Sequence, residues 1–105
     1  MTIKELEEYG RLTSVYYEFS KLQLDLEEAD KKQFKEVKRQ LAKISDFILS
    51  CKDPLIKRLM VLRFFRFLSW EEIATEVGGY NSAGSCRMLV IRYISRENKK
   101  NITHY

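Results

Sequence analysis

Ser69-Trp70-Glu71-Glu72-Ile73-Ala74-Thr75-Glu76-Val77-Gly78-Gly79-Tyr80-Asn81-Ser82-Ala83-Gly84-Ser85-Cys86-Arg87-Met88 contains two helix starts and one helix stop. Ser69 followed three residues later by Glu72 is a capping box, in which each side chain satisfies the other residue's exposed backbone N–H. Trp70, Ile73, Ala74 and Val77 recur at the spacing of one helix face, so all four are expected inward. Gly78-Gly79 ends that helix, because glycine enters the left-handed region without a Cβ penalty. Asn81 or Ser82 then caps a second helix running to about Asn98, with Cys86, Val90, Tyr93 and Ile94 as its inner stripe. Two capped helices around a glycine turn have the layout of a helix-turn-helix, and small Ala74 allows the second to cross closely.

Upstream, Asp53-Pro54 pairs a preferred N-cap with a preferred first helical residue. It predicts a helix over about Pro54 to Phe67, with Leu55, Leu59, Leu62 and Phe65 inward and Lys57, Arg58, Arg63 and Arg66 outward. The aromatic group Phe64, Phe65 and Phe67 exceeds the needs of one small core, so Phe64 or Phe67 is expected to meet the preceding segment. That segment, 1–53, reads as a helical arm. A first helix over Thr2 to Glu28 carries a Thr2–Glu5 capping box and a seam of Leu12, Val15, Phe19, Leu22 and Leu26. Ile3, Leu6 and Tyr9 drift off that register. Asp30 is expected to cap a second arm helix over Lys31 to Cys51, with Phe34, Val37, Leu41, Ile44, Ile48 and Cys51 in three-four steps. Two such helices joined by a short link either fold back as an antiparallel hairpin or pair between subunits. The expected fold is therefore all-α: an N-terminal antiparallel helical hairpin or coiled-coil arm over 1–53, then a tri-helical helix-turn-helix domain over 54–105. The polar tail Lys99 to Tyr105 is expected to fray.

Composition narrows the function classes. Of 105 residues, 45% are apolar and 32% charged, a globular balance. Residues 1–53 carry ten Lys/Arg against eleven Asp/Glu, and residues 54–105 carry nine against four. The basic excess thus lies in the second half, which suits a polyanionic partner there. No apolar run approaches the roughly 20 residues of a membrane span, and the charged start predicts no secretory leader. Cys51 and Cys86 stand apart in apolar surroundings and read as buried free thiols of a cytoplasmic protein. His104 has no metal-ligand companion, and Glu71-Glu72 is explained by capping. No nucleophile–base pair, phosphate-cradling loop or metal spacing is present, so no enzyme and no cofactor are expected.

A groove-reading helix needs a small polar first turn and outward hydrogen-bond donors. Asn81, Ser82, Ala83, Gly84 and Ser85 meet the first demand. Arg87 and Arg92 meet the second, with Met88 beside them and Asn81 as a further base reader. Arg63 and Arg66 stand where flanking phosphate contacts arise, though a solvated face explains them equally well. At these residues a family likeness emerges. Leu62-Arg63-Phe64-Phe65-Arg66-Phe67-Leu68 running into Ser69-Trp70-Glu71-Glu72-Ile73-Ala74, with Gly78, Asn81-Ser82-Ala83, Cys86-Arg87-Met88 and Arg92-Tyr93-Ile94, resembles sigma-70 region 4. The resemblance extends to small phage-encoded regulators with that helix-turn-helix, including late-operon transcriptional activators, and covers about 54–98.

The resemblance implies a sequence-specific transcription regulator of phage or mobile-element type. Its recognition helix, about 82–98, would bind double-stranded DNA. The seam of the arm adds the separate expectation of a homodimer. Leu89 and Ile91 are apolar where members of the family often carry basic residues. They motivate a second expectation, a protein-interaction module that binds RNA polymerase, a sigma factor or a host defence protein.

Overall fold

The computed structural model describes residues 1–22, 25–79 and 81–102, with the side chains of 101 and 102 left out. His104 and the end of the tail lie outside the described residues. Those described form helices and no strand: α1 (Ile3–Glu7), α2 (Tyr9–Lys21), α3 (Glu28–Leu49), α4 (Pro54–Met60) with a π-helical extension (Val61–Phe65), α5 (Trp70–Val77) and α6 (Ala83–Ile102). Among them, no helix is long and apolar enough to cross a membrane.

The single helix expected over Thr2 to Glu28 is divided. The Thr2–Glu5 capping box is present, but Glu8 N–H bonds back three residues to Glu5 O at 3.2 Å, which tightens the turn between α1 and α2. The break falls where Ile3, Leu6 and Tyr9 leave the seam register, and it allows Leu6 to be fully buried. The seam is also shorter than expected, since α2 ends at Lys21 and Leu22 is exposed. Asp30 does not cap α3. That helix starts at Glu28, and Asp30 lies within its first turn, where a carboxylate complements the positive helix end. It stops at Leu49, short of Cys51.

The arm helices meet through aromatic and charged pairs. Tyr16 and Phe19 both approach the Phe34 ring, at 5.5 and 5.6 Å between centroids. Within α3, Lys38 Nζ stands 4.3 Å above the same ring, and between α3 and α1 Lys43 Nζ lies 3.2 Å from Glu5 Oε2.

Asp53 caps α4 as its sequence predicts, Oδ1 accepting the Ile56 N–H at 3.1 Å. The helix does not continue as α to Phe67. From Val61 to Phe65 it widens to π geometry, shown by Arg66 N–H donating five residues back to Val61 O at 3.1 Å, and Leu68 N–H closes the helix end on Leu62 O, also at 3.1 Å. Phe67 ends it at φ 61°, a left-handed conformation rarely held by a bulky side chain. The wider turn resets the buried face. Ile56, Leu59, Met60, Leu62 and Phe64 are buried, whereas Leu55 is exposed and Phe65 only half-buried. Phe65 instead meets Tyr9, ring centroids 4.8 Å apart. The Phe67 ring lies against Gly10 of α2, where any Cβ would stand 2.9 Å from its Cε1.

One apolar cluster unites both halves of the chain: Leu6 and Leu12, Val37, Ile44 and Ile48, Leu59 and Met60, Phe64, Ile73, then Cys86, Val90 and Ile94. Burying one such aliphatic side chain fully stabilises the fold by about 1.5–3 kcal/mol. Among the described residues no polar or charged residue is buried.

Candidate nucleic-acid interface

The α5–α6 unit is built largely from local hydrogen bonds. Ser69 Oγ accepts the Glu72 N–H and Glu72 Oε1 accepts the Ser69 N–H, each at 3.1 Å. The Ser69 backbone N–H and hydroxyl together hold the Glu72 carboxyl below its ordinary range. Ile73 anchors α5 from below, and Trp70, Ala74 and Val77 pack against the core as half-buried residues. Gly78 closes the helix at φ 65° and ψ −158°, a region essentially reserved for glycine. The turn then passes to α6, where Ser82 is the cap: Oγ accepts the Ser85 N–H at 3.1 Å and the Ser82 carbonyl accepts the Cys86 N–H at 2.9 Å.

α6 packs against both α4 and α5 through Cys86, Val90 and Ile94, all buried, with Tyr93 half-buried alongside. Burial pushes the Cys86 thiol above its ordinary pKa. The opposite face carries Ser85, Met88, Arg92, Ser95 and Lys99 in alternating steps of three and four, all exposed. The stripe spans about 21 Å at 1.5 Å per residue, while the major groove is about 12 Å wide. Over its length α6 holds Arg87, Arg92, Arg96, Lys99 and Lys100 against one carboxylate, Glu97. It does not fray at Lys99 but continues to Ile102.

The sequence-derived candidates divide into two groups. Ser82, Ser85, Met88 and Arg92 share the exposed side of α6 or its cap, Met88 being 41% exposed. Arg87 is exposed too, next to buried Cys86 and so on the flank of the stripe, and it has no ion pair among the described residues. Asn81 is half-buried, its Nδ2 donating to Gly78 O at 3.4 Å within the turn. Arg63 is held by its own fold: Nη1 donates to Leu68 O at 3.0 Å, Nη2 lies 4.0 Å from Glu7 Oε1, and the guanidinium sits 5.1 Å from the Trp70 ring centre. Arg66 is exposed at the rim of a groove shared with Lys57, Arg58, Val61 and Glu76. Arg58 bridges that groove, with Nη2 3.8 Å from Glu76 Oε2.

Ser95, Arg96 and Lys99 were not singled out from the sequence. The signal was available, because the three-four step from Ser85 through Arg92 continues unbroken onto them. Leu89 and Ile91 are half-buried, and Leu89 packs against the core. Among the described residues no group of three or more His, Cys, Asp or Glu is placed to hold a metal. No protein-family model matches the chain, and no curated protein or solved structure does either.

Proposed function

We propose that this chain is a sequence-specific binder of double-stranded DNA that regulates transcription, a binding protein without catalytic activity. In this reading α4, α5 and α6 form the tri-helical helix-turn-helix, and α2 and α3 form an antiparallel hairpin that buttresses it. The observation that carries the reading is the exposed α6 stripe, small and polar at its start and basic towards its end, opposite a wholly apolar inner face. Docking is electrostatic first, since release of counterions from the duplex supplies most non-specific affinity. Arg92 and Met88 then enter the groove, with Arg87 reaching one wall of it. Arg66 lies outside this helix and is assigned to a phosphate. Arg63 orients the turn before α5 rather than touching DNA.

The phage or mobile-element setting belongs to this proposal through the likeness to sigma-70 region 4, and the homodimer through the three-four apolar steps of the arm. Tyr17 and Leu22, at the end of α2, are exposed and supply apolar surface for a second copy. A protein-interaction module is less favoured, because half-buried Leu89 and Ile91 are partly consumed by the chain's own packing. The test is selection of bound fragments from random duplex DNA at near-physiological salt, followed by anisotropy titrations over a salt series. Enrichment of a common site with salt-dependent affinity supports the proposal. Binding that ignores both salt and sequence, or no binding at low salt, removes it.

A further inference from the structure

A cleft of about 470 Å³ lies beside the basic end of α6, lined by Ser50, Lys52 and Asp53 from the α3–α4 junction and by Tyr93, Arg96, Glu97 and Lys100. Each of its two carboxylates has a partner within the fold. Asp53 Oδ1 accepts the Ile56 N–H at 3.1 Å as the cap of α4, and Glu97 Oε1 lies 3.1 Å from Lys100 Nζ. Lys52 and Arg96 are exposed on opposite sides of the cleft, with no ion pair to either among the described residues. The floor is fixed rather than loose. The Tyr93 ring packs on Phe47 at 5.6 Å between centroids, and Cys51 is buried with Sγ 3.7 Å from Asp53 O. The lining holds three cations, Lys52, Arg96 and Lys100, against two carboxylates, and with Lys100 opposing Glu97 the two cations without an ion pair, from separate elements, leave the cleft net positive, as a receptor for a compact anion requires.

We propose that this cleft is a phosphate-binding site in which Lys52 and Arg96 contact the anion from opposite sides. Arginine supplies a planar fork of donors and lysine a point charge, the pairing that suits a tetrahedral oxyanion. The favoured source of the phosphate is the DNA backbone. Arg96 follows Arg92 by one helical turn, about 6 Å along α6, so a strand leaving the groove at Arg92 passes the mouth of the cleft. The site itself rests on the cleft alone, and only this choice of source rests on the DNA-binding reading. A free phosphorylated compound presents the same chemistry.

The full chain is titrated with inorganic phosphate against chloride at matched ionic strength, and backbone amide resonances are followed by NMR. Saturable shifts at Lys52, Arg96 and Glu97 are expected, weakened about tenfold in Lys52→Gln or Arg96→Gln, as loss of one charge-assisted hydrogen bond requires. Arg96→Lys retains most of the response. In parallel, each phosphate contact removed from duplex DNA lowers the salt-dependence slope by about 0.9, and because both cations hold the same phosphate the double Gln variant loses about 0.9. Saturable phosphate binding with that loss of slope supports the site and assigns its occupant to the backbone. Saturable binding without any change in slope supports the site and assigns it to a free phosphorylated ligand. Absence of saturable shifts at these residues overturns the proposal, whatever the slope does. A chain that binds no DNA removes the function proposed above, and the phosphate titration then judges the cleft by itself.

Discussion

Gly78 and Gly84 offer a paired test of how the α5–α6 turn is made. An added Cβ meets nothing within 4 Å at either position. Crowding therefore contributes nothing, and the backbone alone decides the sign. Gly78 holds φ 65° and ψ −158°. An L side chain forced into such sparsely populated geometry costs about 1–3 kcal/mol. Gly84 sits in the first turn of α6, where replacing glycine with alanine stabilises a helix by up to about 1 kcal/mol. Gly78→Ala should therefore destabilise by about 2 kcal/mol and Gly84→Ala should stabilise by a few tenths to about 1 kcal/mol. For a domain near this size, 1 kcal/mol moves Tm by about 4–8 °C. Gly78→Ala should melt roughly 8–16 °C below the parent, read by far-UV circular dichroism and checked by urea midpoints. A Gly78→Ala protein that melts at or above the parent would refute the claim that positive φ at this residue sets the turn.

The other predictions draw on different parts of the molecule. Arg87→Ala should relax discrimination among DNA sites by about 1–3 kcal/mol, whereas Arg66→Ala should weaken all duplexes alike and reduce the salt slope by about 0.9. Competition titrations with matched and scrambled duplexes separate the two, and equal effects on every sequence from both variants would contradict the assignment. Glu72 has its folded pKa depressed below the usual 4.5 by Ser69, so its contribution is complete above that value and disappears as pH falls through the folded one. Urea midpoints of the parent should fall more steeply on acidification than those of Glu72→Gln, and parallel curves would contradict the capping role. Gly10→Ala should be less favourable with Phe67 present than in a Phe67→Ala background, because the new Cβ would stand 2.9 Å from that ring; additive effects in the double-mutant cycle would count against the contact. Cys86 is fully buried with its thiol pKa raised, so it should resist alkylation until the chain unfolds, and fast labelling of the native protein would show that α6 detaches from the core.

What the linear chain settled on its own is whatever neighbours in sequence can settle. The capping boxes at Thr2–Glu5 and Ser69–Glu72, the Asp53-Pro54 start and the glycine stop at Gly78 each involve atoms within four residues of one another, and each is found where the pattern puts it. The inner stripe of α6 follows from helical periodicity alone, and so does the exposed stripe opposite it. Tertiary structure decided the rest. Whether Arg63 faces solvent depends on Glu7, fifty-six residues away in the chain, and on Trp70 beyond the left-handed turn at Phe67. The widening of α4 at Val61 and the left-handed Phe67 depend on where α2 lies, since Phe65 meets Tyr9 and Phe67 meets Gly10. The cleft between Lys52 and Arg96 joins residues forty-four apart in the chain, so neither one's local sequence carries a sign of it. Short-range hydrogen bonds choose where helices begin and end, but long-range packing chooses which cations remain free to meet a partner.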